Sequence, residues 1–184
     1  MGGLAAMLCG RHRPDMFDGL LLVDITPRME QAGVDRILRF MGERSADGFA
    51  SIEEAAGAIA AYMPGRTPPR SLSGLGKNLR QRSNGRWYWH WDPRFVNGPL
   101  AIEGSAEDHV DSLEQGLAAL RCPVMLVRGA RSDLVSINAV EHFRTRFPHA
   151  SYVDVAGAGH MVVGDRNDAF AEAAEKFLSH YANR

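Results

Sequence analysis

The 184-residue chain carries only two cysteines, Cys9 and Cys122. That is too few for a disulfide framework, and they lie too far apart for a metal knuckle. Both sit in apolar runs, so buried free thiols are expected. Lysine is equally scarce: Lys77 and Lys176 are the only two, and arginine supplies almost all the positive charge. The formal net charge is -1, which removes any sequence-wide electrostatic case for nucleic acid or an anionic membrane surface. No apolar stretch approaches the ~20 residues of a membrane-spanning helix. The N-terminus has neither a basic lead-in nor a convincing cleavage site, so no signal peptide and a cytoplasmic location are expected. Internal repeats and glycine-rich phosphate loops are missing, and no arrangement of His, Asp and Cys has metal-ligand spacing. No cofactor is therefore expected.

What is present is ordinary for a globular protein: 45% hydrophobic and 23% charged residues, enough for one domain with a core, or one domain and an insertion. Three short, continuously apolar runs read as strands buried on both faces of a parallel sheet: residues 19–25, 123–128 and 151–155. Between the last two, Val140, Phe143 and Phe147 recur at helical spacing. After the third, Phe170, Ala174, Phe177 and Leu178 line one face of a helix over residues 168–181. Strand, helix, strand, helix predicts a parallel α/β sheet with right-handed crossovers. Residues 26–104 break that rhythm. An amphipathic helix over 29–43, a capping box at Ser51-Ile-Glu-Glu54 opening a helix to Met63, and a third helix over 71–82 predict a mostly helical insertion. Residues 64–69 read as turn, and the aromatic cluster 85–93 is expected to be extended. The core is thus expected over 1–25 and 105–184.

Three places offer chemistry. Asp133 follows the second strand, on the face where open parallel sheets bind ligands; alone, it would read as a helix cap. His160 sits in Ala156-Gly-Ala-Gly-His160, directly after the third strand, where two glycines let the backbone turn sharply. Acid and then histidine, both beyond the carboxyl ends of strands, matches an acid that orients an imidazole general base. The third place is Met1-Gly-Gly-Leu-Ala5, which reads as the second half of a strand-to-helix nucleophile elbow of the pattern G-x-S-x-G.

With these pieces the chain resembles the C-terminal part of an α/β-hydrolase with a lid. The matching elements are Met1-Gly-Gly-Leu-Ala5, Leu22-Val-Asp-Ile-Thr-Pro27, Trp91-Asp-Pro93, residues 123–129 with Ser132-Asp133, and Gly157-Ala-Gly-His160. The resemblance implies hydrolysis of small carboxylic esters, with Asp133 as the acid and His160 as the base. The nucleophile is expected immediately before Met1, outside the chain, and the backbone N–H of Met1 is the expected oxyanion donor. Little or no activity is therefore expected of the chain as it stands, since the members of a triad act as a unit. Epoxide or haloalkane hydrolysis with an Asp nucleophile is the alternative, and a non-catalytic fragment or pseudoenzyme another. Some relatives end the earlier strand with their acid, which makes Asp24 the second candidate; otherwise it accepts hydrogen bonds from the turn that opens the insertion. Trp87 and Trp91 are candidate pocket residues, equally readable as the hydrophobic attachment of the lid. Partners are expected to be a small-molecule substrate, with no nucleic acid or membrane. A free sheet edge predicts self-association.

Overall fold

A computed structural model gives the fold and describes residues 1–64, 71–97 and 109–181. The expected core start near 105, the insertion's end at 104 and most of the 64–69 turn lie outside those residues. In chain order the elements are α1 (Gly2–Cys9), β1 (Leu20–Val23), α2 (Gln31–Gly42), α3 (Ile52–Tyr62), a 3-10 turn (Ser73–Lys77), β2 (Leu79–Gln81), β3 (Trp87–Trp89), α4 (Arg94–Asn97), α5 (Val110–Ala119), β4 (Val124–Gly129), α6 (Ile137–Arg146), β5 (Ser151–Val155), α7 (Val162–Asp165) and α8 (Asn167–Tyr181). The chain divides into two compact units, residues 1–34 with 104–184, and residues 35–103. Thr26–Val34, expected in the insertion, belong to the first.

The first unit is built on a parallel sheet of order β1-β4-β5. Leu22 pairs with Leu126, and Leu126 with Tyr152. Alternation sends Met125 and Val127 to one face, where they meet Val155, Ala158, Val162, Ala173 and Phe177 in one apolar cluster under α8. Leu22 faces α1, since a Cβ on Gly3 would lie 3.6 Å from its Cδ2. Glycine there is a requirement of packing. A Cβ on Gly3 would also lie only 2.6 Å from Cγ2 of Ile25, so the first turn of α1 is pressed against the chain just beyond the carboxyl end of β1. Gly10 and Gly116 do the same for α1 against α5: a Cβ on Gly116 would collide with the Met7 carbonyl, and one on Gly10 with the Gly116 carbonyl. A glycine-led helix of eight residues has little intrinsic helical tendency. Its order comes from this close approach.

Helix α5, whose Val110, Leu113 and Leu117 recur at helical spacing and are buried, is tied to α6 by charge. Glu114 is buried, and its Oε1 lies 2.6 Å from Nε2 of His142. Arg28 and Arg146 complete the cluster at 3.5 and 3.4 Å. Burial pushes the Glu114 carboxyl up, but the His142 hydrogen bond and the cationic neighbours outweigh it and hold the carboxyl below its ordinary 4.5.

The second unit is less helical than its sequence suggests. The helix expected over 71–82 is a 3-10 turn followed by β2, which pairs antiparallel with β3. Gly74 and Gly76 weaken an α-helix there, and Gly85, at φ 77°, turns the chain back on itself. The hairpin then recovers the hydrogen bonds. Its Trp89 joins Phe49, Ala55 and Leu79 in a small core, with Phe40 and Trp91 packed around it. Half of the capping box forms as predicted: the Glu54 N–H donates to Ser51 Oγ (3.2 Å), while the Glu54 carboxylate accepts the N–H of Ala50, one residue before the cap (2.5 Å).

Two outcomes follow from these contacts. Gly116→Ala gains about 1 kcal/mol in helix propensity but meets a backbone carbonyl that cannot yield cheaply. A net loss of about 2 kcal/mol and a fall in Tm of about 4–8 °C are expected by circular dichroism. The depressed Glu114 carboxyl contributes stability that is present above its unfolded value near 4.5 and lost as pH falls through the lower folded value. In urea titrations Glu114→Gln should therefore be weaker than the unsubstituted chain at pH 6, and the gap should narrow as pH falls below 4.5 and through the lower folded value.

Candidate active site

The residues that converge at the carboxyl ends of the strands are Asp24, Ser132 and His160. Asp24 ends β1 in the left-handed region, at φ 49°, and is fully buried. A non-glycine residue there is uncommon, although aspartate tolerates it better than most. Its neighbours hold it there. The Asp24 N–H donates to the Val127 carbonyl of β4 at 2.7 Å. Oδ1 accepts the Gly129 N–H at 3.0 Å, and Oδ2 accepts the Ser132 hydroxyl at 2.6 Å. His160 Nδ1 lies 2.8 Å from the same Oδ2. A buried carboxylate is costly unless its oxygens are hydrogen-bonded, and both oxygens of Asp24 are.

The His160 loop is fixed from below. Gly157 takes φ 77°, a turn that a side chain would strain. The Gly159 N–H donates to the Asp165 carboxylate at 2.9 Å, which anchors the loop to α7. The Arg131 N–H donates to the Ala158 carbonyl at 2.8 Å, and the Arg131 guanidinium donates to the Gly157 carbonyl. A Cβ on Gly129 would collide with the Gly159 carbonyl. The strand end that donates to Asp24 is thus packed directly against the histidine loop. The His160 side chain is about a quarter exposed. With Nδ1 turned to a carboxylate, that nitrogen carries the proton and Nε2 keeps the lone pair. Among the described residues none is hydrogen-bonded to Nε2.

The partner expected for His160 was Asp133. His160 bonds to Asp24 and not to Asp133, because the turn after β4 directs Ser132 inward and leaves Asp133 exposed. The Asp133 backbone carbonyl packs instead on Gly33, where a Cβ would lie 2.5 Å away. Nor do the hydrogen-bond donors of the Asp24 carboxylate lie in the turn that follows it; they come from β4, the turn after β4 and the histidine loop. Met1 is the N-cap of α1, exposed, with its carbonyl accepting from the Ala5 N–H at 3.0 Å. Trp87 and Trp91 belong to the second unit. Trp87 exchanges backbone hydrogen bonds with Phe49, and Trp91 stacks on Trp89 (centroids 4.7 Å apart) while its Nε1 donates to the Met41 carbonyl at 3.1 Å. Ser132, Gly129 and Asp165 had no signal of this role in the sequence: Gly129 acts through its backbone N–H, and Ser132 and Asp165 through side chains whose direction a turn sets. Asp24 had one: it ends a strand that the α/β rhythm sets beside β4. Among the described residues no cluster of three His, Cys, Asp or Glu side chains is placed to hold a metal ion, and no helix is long and apolar enough to cross a membrane.

A histidine held by a buried acid beyond the carboxyl ends of parallel strands defines the class of site found in α/β hydrolases. Comparison with known proteins agrees. The chain is 30% identical to Esterase Rv0045c of Mycobacterium tuberculosis over 188 aligned positions, covering 97% of this chain and 58% of that protein. It is 28% identical to the 3-hydroxybutyrate-oligomer hydrolase of Cupriavidus necator over 171 positions, covering 87% and 56%. A crystal structure of the M. tuberculosis esterase superposes with a TM-score of 0.70 at 28% identity, over 96% of this chain and 57% of that one. E-2-(Acetamidomethylene)succinate hydrolase superposes with a TM-score of 0.76 at 19% identity, covering 97% and 63%, a likeness of fold. No family model matches the chain. The chain belongs to the α/β-hydrolase fold family. It spans little more than half the length of the curated relatives it matches.

Gly129→Ala is expected to displace the Gly159 backbone and pull the Gly129 N–H from Asp24. The His160 ring resonances should shift, and Tm should fall by several degrees. Unchanged histidine resonances would show that the two strand ends are not in contact.

Proposed function

We propose that His160 and Asp24 are the base and acid of an ester-hydrolysing nucleophile-His-acid triad, acting on small carboxylic esters. The observation that carries this reading is the 2.8 Å contact of His160 Nδ1 with a carboxylate whose other partners are already fixed. In such a triad Nε2 takes the proton of the attacking hydroxyl and later gives it to the leaving alcohol, while the carboxylate stabilises the imidazolium formed between those steps. No step needs a cofactor.

The nucleophile in this reading lies outside the 184 residues, on a strand that pairs with the open side of β1 and runs into α1. Two observations support it. α1 begins against Ile25, one residue from Asp24, and β1 is an edge of its sheet among the described residues. The N-terminus of α1 then offers the backbone N–H of Met1 to the developing oxyanion. An unpaired edge of this kind also favours self-association of the chain alone, readable by size exclusion. A location in the cytoplasm, a lid role for the inserted residues and a substrate-binding role for Trp87 and Trp91 complete the proposal.

The test is an assay with p-nitrophenyl acetate and butyrate. The 184-residue chain alone should turn over neither substrate appreciably. The polypeptide extended in frame by the codons upstream of Met1 should hydrolyse them, with kcat lowered about 10³–10⁴-fold by His160→Ala or Asp24→Asn and little affected by Asp133→Asn. Turnover by the 184-residue chain that depends on His160 would contradict the external nucleophile. Full activity of Asp24→Asn would contradict the acid assignment. Epoxide or haloalkane turnover in place of ester turnover would contradict the substrate class.

A further inference from the structure

We propose that Ser132 is a positioning residue of this site: its hydroxyl sets the plane of the Asp24 carboxylate and, through it, the ring of His160. The inference rests on the base role proposed for His160.

A serine hydroxyl has one proton and two lone pairs. Ser132 Oγ accepts the N–H groups of Leu134 and Val135, each at 3.1 Å. Both acceptor sites are occupied by backbone that the turn itself holds. The proton has one direction left, toward Asp24 Oδ2 at 2.6 Å, a separation typical of an O–H···O⁻ hydrogen bond. Gly129, three residues earlier in the same turn, donates to Oδ1 at 3.0 Å. Two donors rigidly spaced on one turn therefore grip the two oxygens of a carboxylate that belongs to another strand, and rotation of that carboxylate is blocked. What Oδ2 has left to offer is directed at His160 Nδ1.

The same geometry excludes Ser132 as the nucleophile. Its proton is committed to Asp24, and its hydrogen bonds go to Asp24, Leu134 and Val135. Ser132 neither touches the reacting atoms nor exchanges a proton with them. Its function is to remove a rotational freedom. Without it Oδ2 keeps the imidazole alone, Oδ1 keeps one backbone donor, and the carboxylate turns about χ2 while the ring follows.

The test is the exchange of the His160 Nδ1 proton, followed by NMR on 15N-histidine-labelled 184-residue chain at low temperature. Asp24→Asn identifies the resonance by abolishing it. Ser132→Ala is expected to speed exchange of that proton with water at least tenfold, whereas Ser132→Thr, which keeps the hydroxyl, should stay within about twofold of the unsubstituted chain. Thermal melts confirm that each variant is folded. Should Ser132→Ala fail to fold, Ser132→Cys keeps the side chain with a weaker donor and is expected to exchange at an intermediate rate. Exchange at the unsubstituted rate in the Ala or Cys variant overturns the proposal, as does Ser132→Thr exchanging as fast as Ser132→Ala. In the extended, ester-hydrolysing polypeptide, Ser132→Ala should lower kcat about tenfold with KM within twofold; an unchanged kcat overturns it. Because the proton readout needs no turnover, faster exchange in a protein that hydrolyses no ester would sink the proposed function and leave the positioning role intact.

Discussion

The buried carboxylate of Asp24 is the constraint around which the first unit is organised. A fully buried aspartate in the left-handed region is unfavourable twice over, for its charge and for its backbone. It persists because three donors from two segments meet it: Gly129 at the end of β4 with Ser132 in the following turn, and His160 beyond β5. Each donor is itself held. Gly129 is pressed against the Gly159 carbonyl, Ser132 is pinned by two backbone N–H groups, and the histidine loop is anchored to Asp165. The carboxylate therefore fastens the ends of all three strands together at the face where the chemistry of such sheets takes place.

The rest of the unit serves to bring those ends into register. The parallel pairing of β1 with β4 and β4 with β5 sets Asp24, Gly129 and Val155 at one edge. Apolar side chains on both faces of β4 fix it between α8 on one side and the α1–α5 layer on the other. The glycine contacts of α1 and the ionic cluster around Glu114 lock that second layer from two directions. The second unit has its own small core of stacked aromatics and its own hairpin. The rings that invite a pocket reading from the sequence supply that core.

The strands and most helices were legible because their signals are local. Short apolar runs marked β1 and β4, a run broken by the exposed Asp154 marked β5, and 3.6-residue spacing marked α6 and α8. The 3-10 turn and β2 were not, since two glycines and a distant antiparallel partner outweigh the local pattern. α5 carries the same helical spacing in Val110, Leu113 and Leu117; its other anchors, Gly116 against Met7 and Glu114 against His142, carry no local signal. At the site, His160 was readable from its glycine-flanked loop. The acid was not settled by order along the chain, because Asp24 and Asp133 both follow strands. In the structure the turn after β4 carries Ser132 inward and leaves Asp133 exposed while His160 meets Asp24, and a connection of seven residues between β4 and α6 carries no period from which to read that direction.

The central claim is that Asp24 holds the proton on His160 Nδ1 and leaves Nε2 free to act as a base. The most direct measurement is the tautomer of His160 by 15N NMR of the 184-residue chain, compared among the unsubstituted protein, Asp24→Asn and Asp133→Asn. The account predicts an Nδ1–H tautomer that Asp24→Asn abolishes and Asp133→Asn leaves in place. An Nε2–H tautomer in the unsubstituted chain, or one that responds to Asp133→Asn and not to Asp24→Asn, would contradict it.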